Sequence, residues 1–576
     1  MKAEVTGPGA LPHGPGHRRG TMPTPATHHS SAPPTQTPVP AGPSAPGPRW
    51  RRAPEGRRTG RQSRWRSVLR PPLAAGTLAL AAAGPVSAAA PAPPRTRPGA
   101  RRSRDRRTPG PDVWLTAVAA LYAVAQLTLV VPQLGHGLGW DESVYVSQYD
   151  PRNPAVFFSA PRSRGTSLLT APFVAAGAGP LALRAVLAVL SAAALYAAFR
   201  VWRPLVGART TAFAALLFGS LWISVLSGAM AMPNLWVAFG AVGAVGWFLR
   251  GGTWQPALCV AAVALFRAPD AVWLVLPLAA YALVVRGHRR ALPWLAAGLA
   301  AGLAQWVVEA YLRWGGVLER LHVSSATEGD MGLHPNFGTA WRAVNGPLLC
   351  RPCTAGAPDQ PGLALWWLVL PLLAVAAVLV ARRERRLAPT VLPVACAASL
   401  SASYLLLIGY SAPRFLLPSY ALLALPVAVL LRRLKRRRTL AVAAVVLVAA
   451  QIVTQFVVLQ RVVAATATTD ARYVAAANGL RTLGLTPPCL VTGPRALPIG
   501  YAAGCASAQI KGNNTSTTRA QLLRRAAEVP TALLTPRGTL PPDYARHWTP
   551  YVLPGTHGWT AWKAPEPAAL RLVSRP

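Results

Sequence analysis

From Val113 to about residue 460 the chain alternates long apolar runs with short polar or arginine-rich breaks. The runs fall at 113–133, 181–201, 209–228, 234–250, 255–269, 270–286, 291–312, 361–381, 388–409, 415–431 and 439–460. A helix needs about 20 apolar residues to cross a hydrocarbon core of about 30 Å, with a lower limit near 17. The pattern therefore predicts an α-helical polytopic membrane protein with about eleven transmembrane helices, several of them near that limit. Residues 461–576 change character. Short apolar segments ("CLVTG", "TALLTP") alternate with turn signals and one polar helical stretch, "STTRAQLLRRAAEV", which predicts a small α/β domain. Residues 1–110 are rich in Pro, Gly, Ser and Arg and lack an aliphatic pattern, so they read as a disordered basic extension. Within it, "RWRSVLRPPLAAGTLALAAAGPVSAAAPAPP" (64–94) has the layout of a secretory signal. Ala-rich low complexity is the preferred reading there, and a translation start placed too early stays open. The domain limits are thus 1–110, 111–460 and 461–576.

Charge changes this picture by giving it sides. Of 576 residues 52% are hydrophobic and the net charge is +41; the mean hydropathy is +0.30. A basic balance of that size would suggest nucleic acid, but outside the extension the arginines punctuate the apolar runs. "RRSRDRR" (101–107), "RVWRPLVGAR" (200–209), "RGHRR" (286–290), "RRERR" (382–386) and "RRLKRRR" (432–438) fall on alternate loops, as cytoplasmic loops beside anionic lipids do. With neither a zinc-finger spacing nor a Walker loop, no nucleic-acid partner is expected. The sidedness predicts a plasma-membrane protein with a cytoplasmic N-terminus. The loops 134–180 and 313–360 and the C-terminal domain are then extracytoplasmic. Of six cysteines, Cys259 and Cys396 lie in apolar runs as inert packing residues. Cys350/Cys353 ("CRPC") and Cys489/Cys505 fall on the oxidising side, where two structural disulfides are expected.

The chemistry-bearing stretch is "GWDESVYVSQYDPRNP" (139–154), with Asp141 and Glu142 adjacent at the boundary after the first span. One reading is structural. Asp141 would be an N-cap, with Trp140 and Tyr145 forming a hydrophobic staple, and Trp140, Tyr145 and Tyr149 would suit a helix in the headgroup zone. Three features favour chemistry instead. The pair lies in a long loop; that loop continues through Arg152 and "SAPRSRGTSLL" with Arg162 and Arg164; and "GYSAPRFLLPSYALLALP" (409–426) puts Arg414 at the mouth of a span on the same side.

"WDESVY", "RAPDAVWL" (267–274) and "APRFLLPSYALLALP" (412–426), in this order and sidedness, resemble the C-type (GT-C) glycosyltransferase superfamily. The resemblance is closest to the branch holding protein O-mannosyltransferases and lipid A aminoarabinose transferases, and it covers roughly residues 113–460. It implies a sugar donor on a polyprenyl phosphate and an acceptor hydroxyl at the outer leaflet, the acceptor being a cell-envelope glycan, lipid or protein. Asp141 matches the family's first-loop acidic position and is the expected base, with Glu142 orienting it or the acceptor. Arg414 is the expected clamp on the leaving phosphate, because a guanidinium offers a planar fork to phosphate oxygens. Arg162 and Arg164 are its helpers. For Arg414 the rival reading is a snorkelling interfacial arginine, and for the other two a solvated loop charge.

One departure stands out. Relatives often carry a second carboxylate after the third span, where this chain reads "AMPNLW" with Asn234. An amide hydrogen-bonds but is neither a base nor a strong metal ligand, so a metal-free, single-base, inverting reaction without cofactor is expected. Weaker candidates remain. Asn234, Asp270 and Tyr145 are expected to touch substrate, or Asp270 ends a helix. Glu309 and Arg313, four apart, suit a local ion pair. "HVSSATEGDMGLHPNFG" carries His322, Glu328, Asp330 and His334 in spacings that match no standard metal set and reads as a substrate loop. His136 reads as a solvated loop residue, and "NNTS" (513–516) is a weak glycosylation sequon. The rival functions are a lipid-head transporter or flippase and a non-catalytic envelope-assembly protein. Transporters place ionisable groups near the membrane midplane and carry internal repeats, and neither is visible in this sequence.

Overall fold

Each apolar run folds as helix in the computed structural model, which describes residues 112–385, 387–434 and 438–566. The basic extension and its signal-like stretch lie outside those residues. Among the described residues, seven helical segments are long and apolar enough to cross a membrane, including Val113–Leu134, Pro180–Arg200 and Pro413–Leu434. Three shorter apolar helices, Asn234–Leu249, Trp254–Phe266 and Ala268–Val284, occupy three further predicted runs.

Two expectations change. The run at 209–228 is broken: Ala208–Gly219 and Trp222–Gly228 meet at 82°, because Leu221 is extended. The bend is held from outside. Trp222 donates its backbone N–H to the Gln455 amide oxygen Oε1 (3.1 Å) and its indole N–H to the Val344 carbonyl (3.0 Å). The last run does not stop near 460. One helix runs from Arg438 to Thr482, since "QRVVAATATTDARYVAAANGLRT" is rich in Ala and lacks proline.

Small residues let neighbouring helices touch backbone to backbone. A Cβ at Gly298 would meet the Ala257 carbonyl oxygen at 2.3 Å, and one at Gly302 the Ala261 oxygen at 2.4 Å. This is the small-xxx-small contact of membrane helices, and it seats Leu292–Arg313 on Trp254–Phe266.

The C-terminal unit is the expected α/β domain. Strands β1 (Leu490–Thr492), β2 (Ala506–Ala508), β3 (Thr531–Thr535), β4 (Thr549–Val552) and β5 (Thr560–Lys563) form one sheet in the order β2-β1-β3-β5-β4. The first three strands are parallel, while β5 pairs antiparallel with β3 and β4. Helix Arg519–Glu528 starts at a Thr518–Gln521 capping box. Separate apolar clusters cover the two faces of the sheet, one around Val491 and Leu534, the other around Leu490 and Leu533. Both expected disulfides form, Cys350–Cys353 and Cys489–Cys505, and Cys259 and Cys396 are free thiols.

This domain buttresses the first loop. Leu497 packs with Val144, Tyr145, Val156 and Phe158, and the Asn514 amide donates to the Phe157 carbonyl (3.0 Å), which commits one asparagine of the sequon to structure. Asp150 is the polar joint. It accepts from the Tyr501 hydroxyl (2.6 Å), Asn153 (2.8 Å) and Arg152 Nε (2.9 Å). Burial works against the charged form, but the Arg152, Tyr501 and Asn153 hydrogen bonds prevail and lower the carboxyl to about 2. A depressed pKa contributes stability that is present in full above the ordinary carboxylate range and is lost as pH falls through about 2. Asp150→Asn is thus expected to lower the melting temperature at neutral pH, with the gap to wild type closing as pH approaches 2. Equal melting at pH 7 would remove Asp150 as the joint.

Candidate active site

The site starts from a seven-residue helix, Trp140–Val146. Its N-cap is Gly139, not Asp141: Gly139 is extended, and Glu142 reaches back to accept the Gly139 N–H at 3.0 Å. Both acids then lie in the first turn, where a carboxylate complements the helix dipole. Because successive residues on a helix point about 100° apart, the pair separates into two unlike environments.

Asp141 meets two arginines. Arg162 Nη2 donates to Oδ1 at 2.7 Å and Arg414 Nη2 to Oδ2 at 2.9 Å. The Asp141 side chain is 23% exposed and each arginine 13%, so the cluster is open to a ligand yet largely withdrawn from bulk water. Burial works to raise the Asp141 carboxyl, but the Arg162 and Arg414 charges overcome it and hold the group below the usual carboxylate value. Arg267, from the segment "RAPDAVWL", adds to the same positive field.

Each guanidinium is itself placed. Arg162 stacks on the Tyr145 ring (5.1 Å) and donates from Nε to Ser159 Oγ (3.1 Å). The fully buried Arg320 donates to the Ala160 and Arg162 carbonyls (both 3.0 Å) and pins that backbone. Gly165 brings the loop against the chain leading to Arg267, because a Cβ there would lie 2.7 Å from the Leu265 carbonyl oxygen. Arg414 sits in the turn Pro413–Leu416 at the head of helix Leu417–Leu434, and its Nη1 donates to the Leu348 carbonyl at 2.9 Å.

The remaining expected residues lie elsewhere, which corrects several roles. Glu142 is 1% exposed and shares no partner with Asp141. It takes a bidentate pair from Arg184 (both 2.9 Å) and the Ala231 N–H (3.0 Å), so every oxygen is committed to structure. Arg184 also faces Asp470 at 3.6 Å. Arg164 turns to Glu309 and donates to Gln148 Oε1 at 2.7 Å, away from Asp141. The Glu309–Arg313 pair forms at 3.0 Å, with Arg320 joining at 3.2 Å. Tyr145 is 5% exposed and supports Arg162 from beneath rather than facing open space. Asp270 is sealed, accepting from the Tyr404 hydroxyl at 2.6 Å beside Arg267 Nε at 3.5 Å. Asn234 is buried, and neither of its amide atoms has a hydrogen-bond partner among the described residues. Glu328 accepts from the Tyr410 hydroxyl, while His334 Nε2 lies 3.0 Å from the Asp330 carbonyl. Among the described residues no group of three or more His, Cys, Asp or Glu side chains is gathered to hold a metal.

Sequence reasoning misses the parts played by Arg184, Arg267 and Arg320. Arg184 has a legible signal, a lone charge inside "PLALRAVLAVL". Arg320, in "VLERLHV", reads as part of an ordinary solvated helix and has none.

No family model and no curated protein matches the sequence. Solved structures do. ArnT from Cupriavidus metallidurans bound to undecaprenyl phosphate superposes with a TM-score of 0.52 at 15% identity, covering 79% of this chain and 98% of that one. The apo state of the same protein gives 0.53 at 14% identity, covering 79% and 97%. The chain shares the fold of ArnT. A looser likeness, with a TM-score of 0.43 at 13% identity over 68% of this chain and 64% of the other, links it to the archaeal oligosaccharyltransferase AglB from Archaeoglobus fulgidus. In this chain the first-loop Asp141 and the late Arg414, 273 residues apart, stand in contact.

Proposed function

We propose that this protein is an inverting glycosyltransferase. It would move a hexosyl or pentosyl group from a polyprenyl-phosphate donor to a hydroxyl of a cell-envelope glycan, lipid or protein at the outer face of the plasma membrane. The observation that carries this reading is Asp141 held between Arg162 and Arg414. The alternating arginine clusters support the orientation, and the neighbour crystallised with undecaprenyl phosphate supports the donor class.

Asp141 is the counter-ion to two guanidiniums, which keeps the carboxylate ionised and weakly basic. A phosphate at Arg414 competes for that guanidinium through charge-assisted hydrogen bonds. As Arg414 turns from Asp141 Oδ2 to phosphate, the carboxylate loses a stabilising charge and gains basicity. Binding the donor thereby activates the base. The acceptor hydroxyl then gives its proton to Asp141 as its oxygen attacks the anomeric carbon. The bond from that carbon to the phosphate oxygen breaks, and the lipid phosphate leaves with its charge held by Arg414 and Arg162. Arg267 extends the positive field on the same side. Glu142 and Arg164 act at one remove, by fixing the helix that carries Asp141 and the segment that carries Arg162. Asn234 stands where relatives carry a second acid, which favours the single-carboxylate course.

Acceptor recognition falls to the C-terminal domain in this reading. A cleft of about 620 Å³ between Pro151–Pro154 of the first loop and Pro487, Pro488 and Arg525 of the domain offers it a surface.

Purified protein incubated with labelled prenyl-phosphate sugars tests the proposal. Arg414→Ala is expected to raise the donor KM about tenfold or more with little change in melting temperature, because one charge-assisted bond is worth about 1.5–3 kcal/mol. If both the Arg414→Ala and Asp141→Asn proteins move a lipid head across vesicles as wild type does, the transporter reading replaces this one.

A further inference from the structure

The wall that holds Arg414 is closed by a disulfide. Between helix Phe337–Ala343 and the turn Pro361–Ala364 the chain runs through "VNGPLLCRPCTAGAPDQ" with a single isolated bridge as its regular structure. Such a segment loses much conformational entropy when it orders. The Cys350–Cys353 bond is the covalent constraint within it. Its neighbours are the site. The Cys350 N–H donates to the Ser411 carbonyl at 2.9 Å, and the Ser411 N–H returns a bond to the Cys350 carbonyl at 3.4 Å. Two residues before Cys350, the Leu348 carbonyl accepts from Arg414 Nη1. One of the two residues inside the ring, Arg351, stacks on Tyr410 (4.5 Å) and donates to the Thr327 carbonyl (2.9 Å), next to Glu328 on the same tyrosine. The CRPC ring thus supplies the bridge to Ser411 and the cation on the Tyr410 ring, beside the Asn336 amide on the Tyr410 carbonyl (2.7 Å) and Asp141 on Arg414. Cys350 is buried, whereas Cys353 is only partly covered, so a thiolate can reach the second sulfur.

We propose that the Cys350–Cys353 disulfide is a positioning element for Arg414, and that its reduction releases the arginine and weakens lipid-phosphate binding. This rests on the reading of Arg414 as a phosphate clamp. The chemistry is thiol–disulfide exchange with a dithiol. One thiolate attacks Cys353 Sγ and expels the Cys350 thiolate. The second thiol of the reductant then attacks the mixed disulfide, leaving two protein thiols and an oxidised, cyclic dithiol. The protein gains two electrons and two protons, and the dithiol loses them. Once the ring opens, residues 348–353 regain freedom, and the Leu348 carbonyl and the Ser411 bridge no longer fix the head of helix Leu417–Leu434.

The test measures binding of undecaprenyl phosphate, and sugar transfer, by the full-length protein in nanodiscs, with and without dithiothreitol. Differential alkylation and peptide mass spectrometry report which disulfide opens. Opening of Cys350–Cys353 is expected to weaken lipid-phosphate binding about tenfold and to raise the donor KM more than it lowers kcat, reversibly on reoxidation. The Cys350→Ser/Cys353→Ser protein should bind as reduced wild type does and should ignore dithiothreitol. Unchanged binding by protein whose alkylation shows Cys350 and Cys353 open overturns the proposal. So does a dithiothreitol effect that persists in the double serine protein, since it then comes from Cys489–Cys505. Should the double variant not fold, the alkylation titration of wild type decides by itself whether binding follows the opening of Cys350–Cys353. Failure of the oxidised wild type to bind undecaprenyl phosphate at all would instead overturn the phosphate-clamp reading beneath it.

Discussion

Asp141→Asn is expected to lower sugar transfer by about a hundred- to ten-thousand-fold, the range a positioned base contributes, with expression and membrane insertion intact. The amide keeps the shape of the carboxylate but cannot take the acceptor proton. It also strips Arg162 and Arg414 of their shared counter-ion. Lipid-phosphate binding should therefore hold steady or tighten while turnover collapses. Loss of structure would weaken both, so the split between binding and turnover identifies a lost base. The two guanidiniums depress the Asp141 carboxyl. The acid limb of kcat/KM is thus expected below the ordinary carboxylate range, because protonation disables the base only once pH falls past its lowered value. Near-normal turnover in the asparagine protein, or an acid limb near neutrality, would take the role away from Asp141.

The second large effect concerns folding. Arg184 holds Glu142 through two bonds, caps the Leu134 and Gly137 carbonyls at 2.8 Å each, and faces Asp470. Arg184→Ala would leave two buried carboxylates without their cation. Removing one partner of a buried pair costs about 3–5 kcal/mol, a large part of a typical stability. The variant is expected to express poorly and melt far below wild type. Glu142→Gln should lose less, since the amide oxygen can still accept from Arg184 Nη2 and the Gly139 N–H, while its NH2 gives up the bonds from Arg184 Nη1 and the Ala231 N–H. The Glu142→Gln/Arg184→Met protein should be less impaired than the sum of its single changes, because it removes both charges together. A melting temperature for Arg184→Ala equal to wild type would show that the pair does not hold the loop. Glu142 would then have to be reconsidered as part of the chemistry.

These two carboxylates show how far local reading goes. Adjacent in sequence, they are alike in local pattern, and cap preference taken alone would make Asp141 the structural one. The fold gives the capping bond to Glu142 instead. Glu142 caps, through its bond to Gly139, and lies against a buried arginine; Asp141 turns to the partly open cluster. What separates them is a partner 42 residues away for one and partners 21 and 273 residues away for the other. No local pattern encodes those distances. Arg164 and Asp270 depart from their expected places for the same reason: their loops carry the right residue types, but Glu309 and Tyr404 reach them first.

The apolar periodicity is enough to place the membrane-core helices, most of them within a few residues, because a run of about 20 apolar residues has few other ways to satisfy its backbone in lipid. Residue type and order are likewise enough to nominate Asp141, Arg162 and Arg414. Their convergence, the burial of Glu142 against Arg184, the 82° break at Leu221 and the buttressing of the first loop by Leu497 and Tyr501 belong to the folded chain alone. Hydropathy acts along a segment and is summed locally. A shared carboxylate between two arginines is set by which helices pack, and packing is a property of surfaces that meet only after the whole chain has folded.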